Sequence, residues 1–360
     1  MDGLLEKRSS RPAILSVATS NPRNRYSQQE IYALACKYSE FYRSPRVQQV
    51  FLNSDIEYRH LYLDIESFAG IETADELHER YRRGAMTIAK EAIEKCLAAG
   101  GVDVKDIDCV IAVSCTGYLC PGLSSLLGKE LGMRNNVQRA DLLGMGCAGA
   151  MPGLQRAYDF VKAYPNKKAL LIAVEICSAC YFLDDSLETV VGNAICADGA
   201  AAVVVAMGEQ ETIPKIVGFE TYLEPSYIDA VGFEQRQGKL RIILSKDIRD
   251  LAGGLACKLI DQMLKSYGVT KEQISHWILH SGGRKVIDSM QREIGLTDHQ
   301  VRHSKYVLNN FGNMSSPTVL FVLQETLQGS NGVKPPQPGN IGIMLALGPG
   351  LAIEGALLQW

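Results

Sequence analysis

The sequence predicts an α/β chain of two similar halves packed about a pseudo-twofold axis, and three observations carry that prediction. A segment from Gly101, GVDVKDIDCVIAVS, returns from Gly268 as GVTKEQISHWILHS, an offset of 167 residues that aligns Ile107 with Ile274 and Ser114 with Ser281. At the same offset, GMGCAGAMPGL around Cys147 falls on FGNMSSPTVLF around Asn313. Each half then closes on two strand-like runs, KALLIAVEI with GAAAVVVAM and NIGIMLAL with GLAIEGALL. Repetition of a whole α/β unit implies layered copies of one architecture, with halves expected at 1–210 and 211–360.

Taken in order, the elements fit that plan. The opening MDGLLEKRSSRPAIL lacks the basic-then-apolar layout of a secretory signal. Residues 20–80 are polar with helical spacing and are expected to lie over the first half. Amphipathic helices, Arg82 to Ala99 and Leu251 to Tyr267, precede the two repeat strands. Residues 209–247 alternate in strand fashion and are expected to form a hairpin layer, and VKPPQPG, 333–339, reads as a surface loop. The longest apolar run, Ala200 to Met207, is too short to cross a bilayer.

Composition narrows the function classes. With 46% hydrophobic residues the chain can bury a large core, and its formal charge of −3, with Lys and Arg scattered, argues against a nucleic-acid binder. A local basic entrance for an anionic substrate stays open. The ten cysteines, without a secretory leader, are read as free thiols of a reducing cytoplasm.

Three residues carry the chemistry. Cys147 sits among small residues just before a helical run, Met151 to Ala163, where unpaired N–H groups and the helix dipole are expected to favour a thiolate. Taken alone it reads first as a small buried hydrophobe, the usual fate of a free cysteine, and the partner residues are what favour catalysis. His280 ends the strand HWILH and runs into Ser281-Gly282-Gly283, as side chains exposed at strand ends do in open α/β sites. The other five histidines read as satisfied core or surface residues. Asn313 lies in the turn that matches the residue before Cys147, so the axis should bring both turns together; a turn-forming role for Asn is the competing reading. A thiolate beside an imidazole performs acyl transfer, and His280 with the Asn313 amide offers two donors to an enolate oxygen, each worth on the order of 3 kcal/mol. This chemistry calls for no metal. Cys177-x-x-Cys180, without a second matching pair, is not read as a zinc site.

At these residues the chain resembles the chalcone synthase superfamily of type III polyketide synthases, over nearly its whole length, from Ala13 to Gln359. The family's cysteine turn appears as GMGCAGA, its histidine strand as LHSGGRKVID and its asparagine turn as FGNMSS. Its Gly-Phe-Gly-Pro-Gly scaffold loop appears as Ala346-Leu347-Gly348-Pro349-Gly350, departing at two positions. The resemblance implies a thiolase-like fold of α-β-α-β-α layered halves and iterative decarboxylative Claisen condensation of malonyl-CoA on an acyl-cysteine, without a cofactor. It implies a homodimer in which Cys120 reaches the partner's cavity. Cys115, Cys177, Cys180 and Ser315 would line the cavity, and Cys196 and Ile242 would replace gatekeeper phenylalanines. Arg46 would keep one CoA-binding charge where Gln49 and Asn53 replace others, Gly282 and Gly283 would line the pantetheine tunnel, and Gly348, Pro349 and Gly350 would complete the substrate site. SCTG and CSACY resemble bacterial tetrahydroxynaphthalene synthases; RADLLGMGC, HSGGRKVID and the asparagine turn resemble still more closely bacterial 3,5-dihydroxyphenylacetyl-CoA synthases. Single-step ketoacyl synthases of fatty-acid initiation share Cys, His and Asn but usually carry Gln after the histidine, where this chain has Ser281. A catalytically silent subunit would be free to lose the three residues.

Overall fold

The computed structural model describes residues 11–68, 70–208, 210, 212–245, 247–330, 332 and 334–360. The first ten residues, on which the expectation about a secretory leader rested, and Val333 of the proline-rich loop lie outside the described residues. In chain order the strands are β1 (Arg11–Ser20), β2 (Arg25–Ser27), β3 (Tyr58–His60), β4 (Ile107–Val113), β5 (Gln138–Leu142), β6 (Lys168–Ile176), β7 (Asp198–Gly208), β8 (Lys215–Leu223), β9 (Val231–Arg236), β10 (Lys239–Leu244), β11 (Ile274–Leu279), β12 (Ile341–Gly348) and β13 (Ala352–Gln359). The helices are α1 (Gln28–Tyr38), α2 (Pro45–Leu52), α3 (Ala74–Gly100), α4 (Leu123–Glu130), α5 (Ala150–Ala163), α6 (Leu187–Ile195), α7 (Ile248–Tyr267), α8 (Arg284–Ile294), α9 (Asp298–Phe311) and α10 (Thr318–Gln328).

The sequence repeat has a local physical cause. α3 ends on Gly101 at φ 60° and α7 on Gly268 at φ 66°, left-handed positions that glycine adopts without steric cost. In both, the following valine donates back into the last turn, Val102 to Leu97 O and Val269 to Leu264 O, and its side chain is buried. The chain then enters β4 or β11.

Strand order shows the same duplication. The first half runs β1-β7-β6-β4-β5 and the second β8-β13-β12-β11. In each, the first two pairings are antiparallel, and β6–β4 and β12–β11 are parallel. β1 and β8 meet antiparallel across the centre, as a twofold between them requires. Thus β8, expected within a hairpin layer, is the second half's counterpart of β1, and only β9 and β10 form the hairpin.

Period-two alternation sorts the strand side chains into layers. Ile111, Leu171 and Val203 face inward with Met344, Ala346 and Leu358 of the second half, and between them lie Leu154 of α5 and Leu320 of α10. Val110, Leu170 and Val204 face outward onto α3, and Ile343, Leu345 and Leu357 onto α7 and α8. The result is five layers, α-β-α-β-α. Burying such side chains contributes roughly 1.5–3 kcal/mol each. The 20–80 segment spans both halves instead of covering the first alone: Gln28 donates to Ala194 O at the end of α6, and Glu57 N donates to Asn309 O in α9.

Candidate active site

β4 and β11 run parallel to their neighbours and end at Val113 and Leu279, while the turns opening α5 and α10 return to the same edge. Side chains at strand ends and helix entrances therefore converge there. A short 3-10 turn, Gly146–Ala148, carries Cys147, and α5 begins at Ala150. Gly146 adopts φ 50°, and a Cβ there would meet Pro349 Cδ at 2.3 Å. A Cβ on Gly348 would lie 2.8 Å from both Ala148 N and Met145 O. Both contacts require glycine. Gly348 and Pro349, expected among the substrate-binding residues, buttress the Cys147 turn from behind. Gly350, at φ 71°, turns the loop back toward β13.

Asn313 comes from the other half. Its N–H donates to Ile195 O and its carbonyl accepts from Ala197 N, both at 2.8 Å, forming a parallel bridge with Cys196. Its side-chain Oδ1 accepts from Ser315 N at 2.8 Å and its Nδ2 donates to Gly282 O at 3.2 Å. These two bonds fix which end of the amide is the donor and leave the second Nδ2–H for Cys147 Sγ. Nδ2 lies 3.9 Å and Oδ1 4.0 Å from Cys147 Sγ, so the two repeat-related turns meet.

His280 prolongs β11, donating its N–H to Leu345 O at 2.8 Å. Its ring is only 2% exposed, and among the described residues neither Nδ1 nor Nε2 has a hydrogen-bond partner. A Cβ on Gly282 would lie 3.2 Å from Nε2, so the imidazole lies against the residue whose carbonyl holds the Asn313 amide. Gly283 follows at φ 151° as the cap of α8, where a Cβ would come no nearer than 3.8 Å to Ile195.

Burial controls the protonation states. It pushes the Cys147 thiol from 9.0 up to about 12, against hydrogen bonds from Ser315 and Asn313 that pull it down. It pulls His280 from 6.5 down to about 4. The helix entrance was expected to favour the thiolate, but Cys147 precedes α5 by three residues and the dipole fades within the first turn, so desolvation wins. Each charge is unfavourable alone. A thiolate and an imidazolium formed together would attract, which would offset part of both penalties.

Of the cysteines expected to line the cavity, Cys115 and Cys196 lie near enough to Cys147 for their charges to interact. Cys115 Sγ is 3.4 Å from Ser315 Oγ, and Ser315 holds a left-handed φ of 59°, which turns it toward the sulfurs. Cys180 donates to Thr116 O at 3.4 Å. Burial raises the thiols of Cys115 and Cys180, and in Cys177 a hydrogen bond with Cys196 acts first and burial second. These thiols are therefore neutral and weakly polar. Ile242 in β10 packs against Gly192 of α6, where a Cβ would lie 3.1 Å away. Arg46 is exposed in the first turn of α2. Cys120 is exposed beyond the end of β4.

One residue escaped the sequence reading. Glu175, fully buried near the end of β6, accepts from Cys115 N, Thr116 N, Thr116 Oγ1, Ser114 Oγ and Ser316 Oγ at 2.6–3.3 Å. It ties the end of β4 to the asparagine turn of the second half. Burial raises its carboxyl, against the hydrogen bonds that lower it. A carboxylate in an otherwise apolar strand was its available signal.

The model for chalcone and stilbene synthases, C-terminal domain, matches residues 227–360, and that for FAE1/type III polyketide synthase-like proteins matches residues 66–278. The chain is 35% identical to a 3,5-dihydroxyphenylacetyl-CoA synthase of Streptomyces toyocaensis, with 97% of this chain and 90% of the relative covered. It is 30% identical to a 1,3,6,8-tetrahydroxynaphthalene synthase of Streptomyces peucetius subsp. caesius, with 97% and 93% covered. Among solved structures, PKS-I of the brown alga Ectocarpus siliculosus superposes with a TM-score of 0.91 at 28% identity, covering 98% of this chain and 99% of that one. The tetrahydroxynaphthalene synthase of Streptomyces coelicolor A3(2) superposes with a TM-score of 0.89 at 26% identity, covering 97% and 99%. With its thiolase fold, its paired cysteine and asparagine turns and these likenesses, the chain belongs to the type III polyketide synthase family.

Proposed function

We propose that the protein condenses malonyl-CoA units iteratively on Cys147 and cyclises the chain to a polyhydroxylated aromatic product, 3,5-dihydroxyphenylacetyl-CoA being the favoured one. The observation that carries this reading is the Cys147 sulfur 3.9 Å from the amide of Asn313, a donor supplied by the other half. His280 takes the thiol proton, and the sulfur attacks an acyl-CoA carbonyl and expels CoA thiolate. Malonyl-CoA then loses CO2 and the electron pair becomes an enolate, whose oxygen receives N–H donors from His280 and Asn313. The enolate carbon attacks the acyl-cysteine carbonyl, a C–C bond forms, and the C–S bond breaks to return Cys147. The likeness to 3,5-dihydroxyphenylacetyl-CoA synthases at 35% identity favours that product over tetrahydroxynaphthalene, named for a relative at 30%.

The lining thiols Cys115, Cys177, Cys180 and Cys196, with Ser315 and Ile242, shape the space for the growing chain. Gly282 and Gly283 leave room for pantetheine, and Arg46 meets a CoA phosphate. The chain divides functionally into 1–210, carrying the nucleophile, and 211–360, carrying its partners. It acts in the cytoplasm, without a cofactor, as a homodimer. Supporting the dimer are the exposed edge strand β5 and the neighbouring Tyr118 and Leu143, 64% and 47% exposed. Among the described residues no helix is long and apolar enough to cross a membrane.

The test is incubation with malonyl-CoA alone, followed by CO2 release and mass spectrometry. A product of the mass of 3,5-dihydroxyphenylacetyl-CoA, absent with Cys147→Ala, is expected. Release of neither CO2 nor CoA from malonyl-CoA would reject the reading.

A further inference from the structure

We propose that Arg59 is a positioning residue for condensation: a buried guanidinium that holds Asn313 and Cys196 in place by gripping the carbonyl groups at the end of α6. This inference rests on the proposed role of Asn313.

Arg59 lies in β3, in the polar 20–80 segment, yet its side chain is 0% exposed. A fully buried guanidinium is rare without a carboxylate, because desolvating the charge costs several kcal/mol. Among the described residues no carboxylate lies within ion-pair distance of it. Instead one nitrogen, Nη1, donates to Asn193 O at 2.6 Å, Cys196 O at 2.7 Å and Tyr181 Oη at 3.0 Å. Tyr181 Oη donates to the same Cys196 carbonyl at 2.8 Å. Asn193 and Cys196 stand at the C-terminal end of α6, whose last carbonyls lack helical partners and carry the negative end of the dipole. A cation there is stabilised by the fixed field of the helix.

The other side of the same segment is the Asn313 bridge. Ile195 O and Ala197 N, flanking Cys196, are bonded to the backbone of Asn313. The aliphatic stem of Arg59 also packs on Gly312: a Cβ there would lie 3.0 Å from Arg59 Cγ and Cδ and 2.9 Å from Ile195 O. One side chain thus clamps both strands of the bridge, the Cys196 strand through hydrogen bonds and the Asn313 strand through packing. The Asn313 amide stands 3.9 Å from Cys147 Sγ, and small displacements there change the orientation of the enolate donor. Cys147 has separate support, from Gly348 and Pro349, so loss of Arg59 should disturb the enolate donor before it disturbs the nucleophile.

Arg59→Met removes the grip and keeps the stem; Arg59→Lys keeps the charge with fewer donors and serves if the first variant folds poorly. Two rates are compared in the full-length protein: decarboxylation of malonyl-CoA, which needs the Asn313 donor, and alkylation of Cys147 by iodoacetamide, which does not. Expected are a fall in decarboxylation kcat of at least tenfold in Arg59→Met, partial rescue in Arg59→Lys, and Cys147 alkylation within about twofold of the parent. Equal loss of both rates, or an unchanged decarboxylation rate, would overturn the proposal. A crystal structure of Arg59→Met reads the outcome independently of turnover: an intact Cys196–Asn313 bridge with the amide still 3.9 Å from the sulfur would also overturn it. An inactive parent enzyme would instead reject the function proposed for the site.

Discussion

Replacing His280 with Gln removes the only side chain assigned to take the proton of Cys147 and preserves much of the volume. Burial has raised the thiol from 9.0 to about 12, about 4 kcal/mol against the thiolate at 1.36 kcal/mol per pKa unit. Without a base in the pocket, about one molecule in 10⁵ carries the thiolate at pH 7. General bases typically contribute 10²–10⁴-fold, so Cys147 alkylation by iodoacetamide at pH 7 should fall at least a hundredfold in His280→Gln. Its rate should then rise with hydroxide well past pH 9. Because the chain has ten cysteines, the rate is read by mass spectrometry on the peptide carrying Cys147, with half-buried Cys257 of α7 as an internal control. Equal Cys147 alkylation in parent and variant across this pH range would refute the proton transfer.

Asn313→Ala should lower malonyl-CoA decarboxylation by about 10²–10³, the usual loss for one oxyanion donor, while alkylation of Cys147 by iodoacetamide slows far less, because the Asn313 hydrogen bond is the smallest of the influences on the thiol; comparable losses in both assays would contradict its assigned role. Gly348→Ala forces a Cβ to within 2.8 Å of the backbone of Met145 and Ala148 and should cost about 1–3 kcal/mol in urea unfolding, with slower Cys147 alkylation; unchanged values would dismiss the buttress. His280 has a folded pKa lowered to about 4, so its contribution to stability is full above its unfolded value near 6.5 and is lost as pH falls toward 4, by about 3 kcal/mol. Asp198, raised to about 6 by burial, acts in the opposite sense as pH falls, so the test is a difference. The stability advantage of the parent over His280→Gln should shrink by about 3 kcal/mol between pH 7 and pH 4, and a constant advantage would show that the imidazole is not held neutral.

The duplicated fold was legible because its causes are local and occur twice. Gly101 and Gly268 end equivalent helices, and the runs after them alternate with the period of strands. The turns bearing Cys147 and Asn313 were legible for the same reason. Less legible were groups whose partners are distant in sequence. Glu175 meets Ser316 across 141 residues and Arg59 meets Cys196 across 137; the apolar strand around Glu175 signals its burial but not its partners, and nothing adjacent marks Arg59 as buried. The thiol's protonation was misjudged because it turns on desolvation, a property of the closed pocket, whereas the helix start visible in the sequence acts only over one turn. β8 was hidden in the hairpin reading because it shares strand alternation with β9 and β10, and only its pairings with β13 and β1 place it in the main sheet.

Acyl transfer through Cys147 is tested most directly by acid quenching during turnover with malonyl-CoA and peptide mapping of the trapped protein. Expected is an acyl adduct, acetyl or longer, on the peptide carrying Cys147, discharged by neutral hydroxylamine as a thioester and absent from Cys147→Ala. Sustained polyketide formation by Cys147→Ala, or a thioester trapped on Cys115 or Cys196 instead, would contradict it.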